Sequence, residues 1–113
     1  MIQTETGTLY VVATPIGNLG DISFRAIETL KNVDVIASED TRKTRGLLTH
    51  YDIRSRLTSY HDHNEGEKSG SIIEMLLAGS DVALVSEAGT PTVSDPGYRL
   101  ISKPREEGIA VIP

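Results

Sequence analysis

The stretch Asp81-Val-Ala-Leu-Val-Ser-Glu-Ala-Gly-Thr-Pro-Thr-Val-Ser-Asp-Pro-Gly97 decides the fold. Its first part, Val82 to Val85, is a continuous apolar run, the pattern of a strand buried on both faces of a parallel sheet. From Ser86 to Gly97 the run gives way to two Gly, two Pro, two Thr, two Ser and two carboxylates, a composition that makes a loop rich in hydrogen-bonding groups. Connections from a strand to a helix usually take about 2–6 residues, and this one is about twice that. In open parallel sheets ligands gather at the carboxyl ends of the strands, so this segment reads as a ligand loop in preference to a plain connector.

Outward from that strand, the same alternation repeats. Leu9-Tyr-Val-Val-Ala13 reads as a buried first strand, and Thr14-Pro-Ile-Gly-Asn-Leu-Gly-Asp21 as the turn that follows it. Asp21 or Ser23 is the candidate N-cap of a helix with Phe24, Ile27 and Leu30 on one face. Asn32 to Ala37 is the second strand. Ser38-Glu-Asp-Thr-Arg-Lys-Thr-Arg45 then opens a helix capped by Asp40, which runs on through Leu47, Leu48 and Tyr51. Leu57 to Tyr60 is a third strand, and a helix with the stripe Ile72, Ile73, Leu76 and Leu77 follows. Asn64 with Glu67, or Ser71 with Glu74, has capping-box spacing at its start, and Gly79 closes it. After the long loop, a helix from Tyr98 to Glu107 is interrupted by Pro104, and Ile109 to Ile112 begins a fifth strand. Five strands alternating with helices predict one three-layer α/β domain over residues 1–113, with a mainly parallel five-stranded sheet. Because the sequence stops at Pro113, directly on a buried strand, it reads as the first half of something longer.

Composition narrows the functional classes. The 113 residues are 38% hydrophobic and 24% charged, as in a globular domain. No apolar run approaches the ~20 residues of a membrane helix, and Met1 to Thr6 is not a secretory leader, so the expected location is the cytoplasm, without a membrane partner. With no cysteine, thiolate catalysis and zinc-thiolate sites are excluded. The net charge of −5 argues against a strongly basic nucleic-acid module. Even so, six of the 11 basic residues lie between Arg42 and Lys68, which allows one locally positive face.

Several groups carry candidate chemistry. The first loop contains Gly17-Asn-Leu-Gly20 but neither a dinucleotide fingerprint nor a P-loop, so a phosphate-cradling NTPase is disfavoured. It is either a ligand contact or simply a turn shaped by Pro15 and Gly17. A KH module shares the Gly-x-x-Gly pattern but is too small a fold for five alternating strands. His61 and His63 have strand-end spacing for a metal, but only His50 remains as a further histidine, so contact with a polar substrate is preferred and no metal is assigned. Glu39, Asp40 and Glu87 at strand ends are candidate general bases or hydroxyl-binding groups; the plain alternative is caps and loop anchors. Arg42, Lys43 and Arg45 form either a solvated helix face or an RNA contact.

Four segments in order, Leu9 to Ile27, Ser38-Glu-Asp-Thr-Arg42, Ser59-Tyr-His-Asp-His-Asn-Glu65 and Val85 to Tyr98, closely resemble the tetrapyrrole methylase, or class III methyltransferase, family. Within it they are most similar to the bacterial branch that methylates the cytidine ribose 2′-hydroxyl of small-subunit ribosomal RNA. The resemblance runs from about Gly7 to Pro113. It implies S-adenosylmethionine as donor, RNA of the small ribosomal subunit as substrate, a homodimer, and a cofactor cleft between two domains, the second lying beyond Pro113. By position, Thr14, Pro15, Ile16 and Gly17 with Ser86, Glu87, Ala88, Gly89, Thr90 and Pro91 would line the cofactor cleft. Glu39, Asp40 and Glu87 would orient or deprotonate the hydroxyl, and Arg42, Lys43, Arg45, His61 and His63 would meet RNA. Two rivals remain: methylation of a tetrapyrrole carbon, against which the Pro-Ile-Gly-Asn-Leu-Gly loop speaks, and a noncatalytic RNA-binding or assembly domain. If the loop after Val85 binds the donor, Gly89→Val abolishes donor binding in the intact enzyme while the circular dichroism spectrum stays near wild type. Unchanged affinity by calorimetry removes the loop from the site.

Overall fold

The computed structural model describes residues 6–14, 20, 22–60, 65–86 and 108–112. Its elements are β1 (Leu9–Ala13), α1 (Phe24–Asn32), β2 (Val35–Ser38), α2 (Thr41–His50), β3 (Arg56–Ser59), α3 (Glu65–Leu77), β4 (Val82–Ser86) and β5 (Val111–Ile112). The strands form one sheet in the order β3-β2-β4-β1-β5, and every pairing is parallel. The expected five-stranded α/β architecture is therefore present. The helix expected at Tyr98 to Glu107, with Pro104, lies outside the described residues.

Strand order explains the layers. From β1 to β2 to β3 the chain moves one way across the sheet, and from β3 to β4 it moves back. Crossovers of one hand running in opposite directions put their helices on opposite faces. The core divides accordingly. Val12, Ile36 and Ala83 pack with Ala26 and Leu30 of α1 and Leu47 and Leu48 of α2. Leu9, Val11, Val35, Ala37, Val82 and Leu84 pack with Ile72, Ile73 and Leu76 of α3. Successive residues of β1, β2 and β4 thus alternate between two cores, which is why these strands read as continuous apolar runs. Val111 and Ile112 of the edge strand β5 are only half-buried.

Local signals set the helix ends. Ser23 caps α1, its Oγ accepting the Ala26 amide at 3.1 Å. The helix buries Ala26 and Leu30, with Ile27 packed against the same core, so of the expected stripe Leu30 and Ile27 turn inward and Phe24 does not. Phe24 lies about 200° around the helix from Ala26 at 100° per residue, and it is 76% exposed. Helix α1 also runs through Asn32, so β2 starts later than expected, at Val35. At the end of α3 the amides of Gly79 and Ser80 reach back to the carbonyls of Leu76 and Met75, a Schellman ending with Gly79 at φ +101°. Leu77, expected in the buried stripe, is 43% exposed. Helix α2 ends in the same motif, with Asp52 taking the left-handed position at φ +53° and buried Ile53 returning its amide to Leu48.

The amino-terminal edge is held by Asp81. Its Oδ1 accepts the Thr8 amide at 2.8 Å, and its carbonyl accepts the amides of Asp34 and Val35 at 2.9 and 3.3 Å. Its own amide donates to Asp34 Oδ2 at 2.9 Å. Beside it, the Gly7 amide donates to the Leu76 carbonyl at 2.7 Å, and a Cβ on Gly7 would overlap the Ser80 carbonyl oxygen. The opposing atom is backbone and cannot swing away. Gly7→Ala is expected to destabilise the domain by about 2 kcal/mol or more, in the range of overpacked interiors, as read from urea unfolding. A midpoint equal to wild type would show that this approach is relaxed in solution.

Candidate active site

All five strands point the same way, so their carboxyl ends form one edge. Ser38 pairs in register with Ser59 on β3 and with Val85 on β4, and Ala13 pairs with Ser86. The described exits along this edge are Tyr60 after β3, Glu39 and Asp40 after β2, Ser86 ending β4 and Thr14 after β1. Four adjacent strands at ~4.8 Å spacing make an edge of about 14 Å, wide enough for a nucleoside-sized ligand. Helix α2 leaves β2 toward one face and α3 leaves β3 toward the other, although β2 and β3 are neighbours. That divergence is a topological switch point, where open α/β sheets form their ligand crevices.

The two carboxylates at the β2 exit differ in what they do. Asp40 is the N-cap of α2, its Oδ1 accepting the Lys43 amide at 3.1 Å while its carbonyl accepts the Thr44 amide. Its carboxylate is thereby engaged in structure, as a helix cap rather than a base. Glu39 is exposed, and its side chain makes no hydrogen bond or ion pair among the described residues. Of the three carboxylates named from the sequence, Glu39 is the described one left available at the edge. Glu87 lies outside the described residues, as do Pro15, Ile16 and Gly17, Ala88 to Pro91, and His61 and His63.

Arg42, Lys43 and Arg45 are exposed on α2. The first turn of this helix contains no acidic residue, and Arg42 and Lys43 sit in it. Cations near a helix N-terminus oppose the helix dipole, at a cost of about 0.3–1 kcal/mol each where exposed. The helix therefore carries its positive charge next to the carboxyl edge, at the end where stability alone disfavours it.

Sequence reasoning missed Ser38, Thr44 and Tyr60. Ser38 and Thr44 are the buried polar side chains of the described core, 2% and 5% exposed, and their hydroxyls lie 2.6 Å apart. Tyr60, 1% exposed, donates its amide to the Ser38 carbonyl at 2.8 Å. The available signal was the placement of Ser38 at the end of an apolar run with Thr44 one turn into the capped helix. A separate groove of about 410 Å³, lined by Tyr10, Phe24, Arg25 and Asp81, follows the flank of α1 and does not include these groups.

A parallel α/β sheet with a polar carboxyl edge at a switch point belongs to the class of open α/β domains that form their ligand crevices at that edge. The family is given by comparison: residues 8–113 match the model for Tetrapyrrole (Corrin/Porphyrin) Methylases, and the chain belongs to that family. It is 57% identical over 98% of its length to "Ribosomal RNA small subunit methyltransferase I" of Halalkalibacterium halodurans, and 56% identical over 96% to the protein of that name in Haemophilus influenzae. The chain spans 38% of the length of each of these curated relatives. Its fold is similar to that of uroporphyrin-III-C-methyltransferase from Thermus thermophilus, with a TM-score of 0.70 at 21% identity over 95% of this chain and 47% of that one.

The division of labour between the two carboxylates can be measured. Asp40→Ala is expected to lower stability by about 1 kcal/mol through loss of the cap, whereas Asp40→Asn, an equally good cap, stays within a few tenths of wild type. Thermal unfolding of the two variants decides it. Equal midpoints would release Asp40 from its structural role.

Proposed function

We propose that this chain forms the amino-terminal part of an S-adenosylmethionine-dependent methyltransferase acting on the 2′-hydroxyl of a cytidine ribose in small-subunit ribosomal RNA. The observation that carries the reading is identity above one half, over nearly the whole chain, to relatives named for methylation of that RNA. Likeness to the tetrapyrrole enzyme is a likeness of fold at 21% identity, which favours the ribosomal substrate over a tetrapyrrole carbon. A second domain beyond Pro113 would close the cleft, and the working enzyme would be a cytoplasmic homodimer.

The residues at the carboxyl edge fit such a donor. Thr14 and the strand ends offer hydroxyl and backbone groups for a polar ligand, and the sequence has no thiol to compete for its methyl group. The loops 15–17 and 87–91 would complete the binding wall. When bound, the sulfonium donor supplies a methyl group that is already electrophilic. The protein's own tasks are then to align the ribose oxygen and to take its proton. Glu39 is the carboxylate assigned to the proton, acting from the β2 exit, with Glu87 as the second candidate. Arg42, Lys43 and Arg45 would hold the RNA backbone beside that exit, and this use accounts for cations placed against the helix dipole. His61 and His63, on the segment leaving β3, would meet the same RNA.

The test uses the chain extended to the length of its relatives, small ribosomal subunits and labelled donor. Methyl incorporation into ribose of the small-subunit RNA is the expected result. Arg42→Gln with Arg45→Gln is expected to weaken subunit binding and to flatten its salt dependence by about one unit of slope for each phosphate no longer neutralised. Salt-dependent binding without methyl transfer would select a noncatalytic assembly role, and an unchanged slope would return those arginines to a solvated helix face.

A further inference from the structure

Apart from the Tyr60 ring, the cores on the two sides of the sheet are aliphatic among the described residues, and the two buried aliphatic hydroxyls, of Ser38 and Thr44, lie together at the β2 exit. Ser38 Oγ donates to the Asp40 carbonyl at 3.1 Å, which uses its one proton. The 2.6 Å contact between Ser38 Oγ and Thr44 Oγ1 must then be donated by Thr44. The result is a directed relay, Thr44 to Ser38 to the Asp40 carbonyl, and that same carbonyl also accepts the Thr44 amide at 3.1 Å. The far side is pinned as well, because the Ser38 carbonyl accepts the Tyr60 amide from the β3 exit.

Stability alone gives little reason for this pair. Replacing both partners of a buried hydrogen bond by apolar groups of the same shape is close to neutral. What the relay does is local: it closes a ring through residues 38, 40 and 44, and Glu39 is held inside that ring by its backbone while its side chain stays out of it. A turn of two residues between a strand and a helix has several backbone solutions. The relay selects one of them, and so fixes the point from which the Glu39 carboxylate projects at the switch point.

We infer that Ser38 and Thr44 are positioning residues, a buried hydroxyl relay that sets the backbone of Glu39 for its work at the carboxyl edge. The catalytic part of this inference rests on the methyltransferase reading above; the conformational part does not. Misplacement of a reacting group by about 1 Å can cost on the order of a hundredfold in rate, so loss of one hydroxyl at this point has a visible effect on turnover.

The experiment uses the chain extended to the length of its relatives and three variants: Thr44→Val, which keeps the shape and deletes the hydroxyl, Thr44→Ser, which restores it, and Ser38→Ala. The first measurement is hydrogen exchange by mass spectrometry, which needs no substrate. Thr44→Val and Ser38→Ala are expected to raise exchange in the peptide covering residues 38–44 about tenfold, with peptides of β1 and β4 unchanged, and Thr44→Ser to match wild type. Unchanged exchange in both deletion variants overturns the relay, whatever the activity. The second measurement is steady-state methylation of small ribosomal subunits with labelled donor. Thr44→Val is expected to lower kcat about tenfold with both KM values within twofold, Thr44→Ser to recover it, and the loss to shrink to less than twofold when Thr44→Val is added to Glu39→Gln. An equal loss in both backgrounds overturns action through Glu39. A wild-type protein that transfers no methyl group at all overturns the methyltransferase reading and the catalytic use of the relay, while the exchange result still decides whether the relay exists.

Discussion

Asp81 is the residue on which the alignment of the sheet depends. It stands at the entrance of β4, the central strand, and bonds to both neighbours at once: the Thr8 amide on its carboxylate, the Asp34 and Val35 amides on its carbonyl, and its own amide on the Asp34 carboxylate. Hydrogen bonds to an ionised carboxylate are among the stronger ones available to a protein. They give β1, β2 and β4 a common starting line. In a parallel sheet a common start, carried through equal registers, means a common finish, so Leu9 opposite Val82 becomes Ala13 opposite Ser86, and Val35 opposite Val82 becomes Ser38 opposite Val85. The carboxyl edge is level because the amino edge is tied. Gly7 belongs to the same arrangement, since only a residue without Cβ lets the entry to β1 lie against the Ser80 carbonyl.

At the level edge, structure and chemistry are kept on separate side chains. Asp40 caps α2 and fixes its entry, Ser38 and Thr44 hold the turn from inside, and Glu39 is left exposed between them. Three polar groups hold a two-residue connection that a single cap could have served. The cations of α2 show the opposite case. Arg42 and Lys43 stand at the helix end where the dipole disfavours cations, next to the Asp40 cap. These exposed cations adjoin the carboxyl edge of the sheet.

Much of this could be read from the residues. The continuous apolar run Val82 to Val85, with Leu9 to Ala13 and Val35 to Ala37, specified buried parallel strands, because a strand covered on both faces needs apolar side chains on both. Gly79 and Asp40 announced a helix end and a helix start, since each signal is local: a left-handed backbone position, and a carboxylate reaching an amide three residues on. The burial of α1 was legible only in part. Leu30 and Ile27 of the expected stripe do turn to the core, but Phe24, the largest hydrophobe, is exposed and Ala26 is buried, because rotation of a helix about its axis is settled by what it packs against.

Composition and spacing alone determined the class of fold, the number of strands, and the placement of polar residues at strand ends, because these follow from periodicity and from short-range capping chemistry. The order β3-β2-β4-β1-β5 was decided only in three dimensions, by non-local pairing between segments as far apart as Leu9 and Val82. The same holds for the pairing of buried side chains. Asp40 as the cap of α2 was legible in the string Ser38-Glu-Asp-Thr-Arg42, being a local signal, whereas the pairing of Ser38 with Thr44 was not. That pairing arises when α2 folds back over β2 and buries Thr44 beside Ser38, because a hydrogen bond between residues on different elements exists only once packing has brought those elements together.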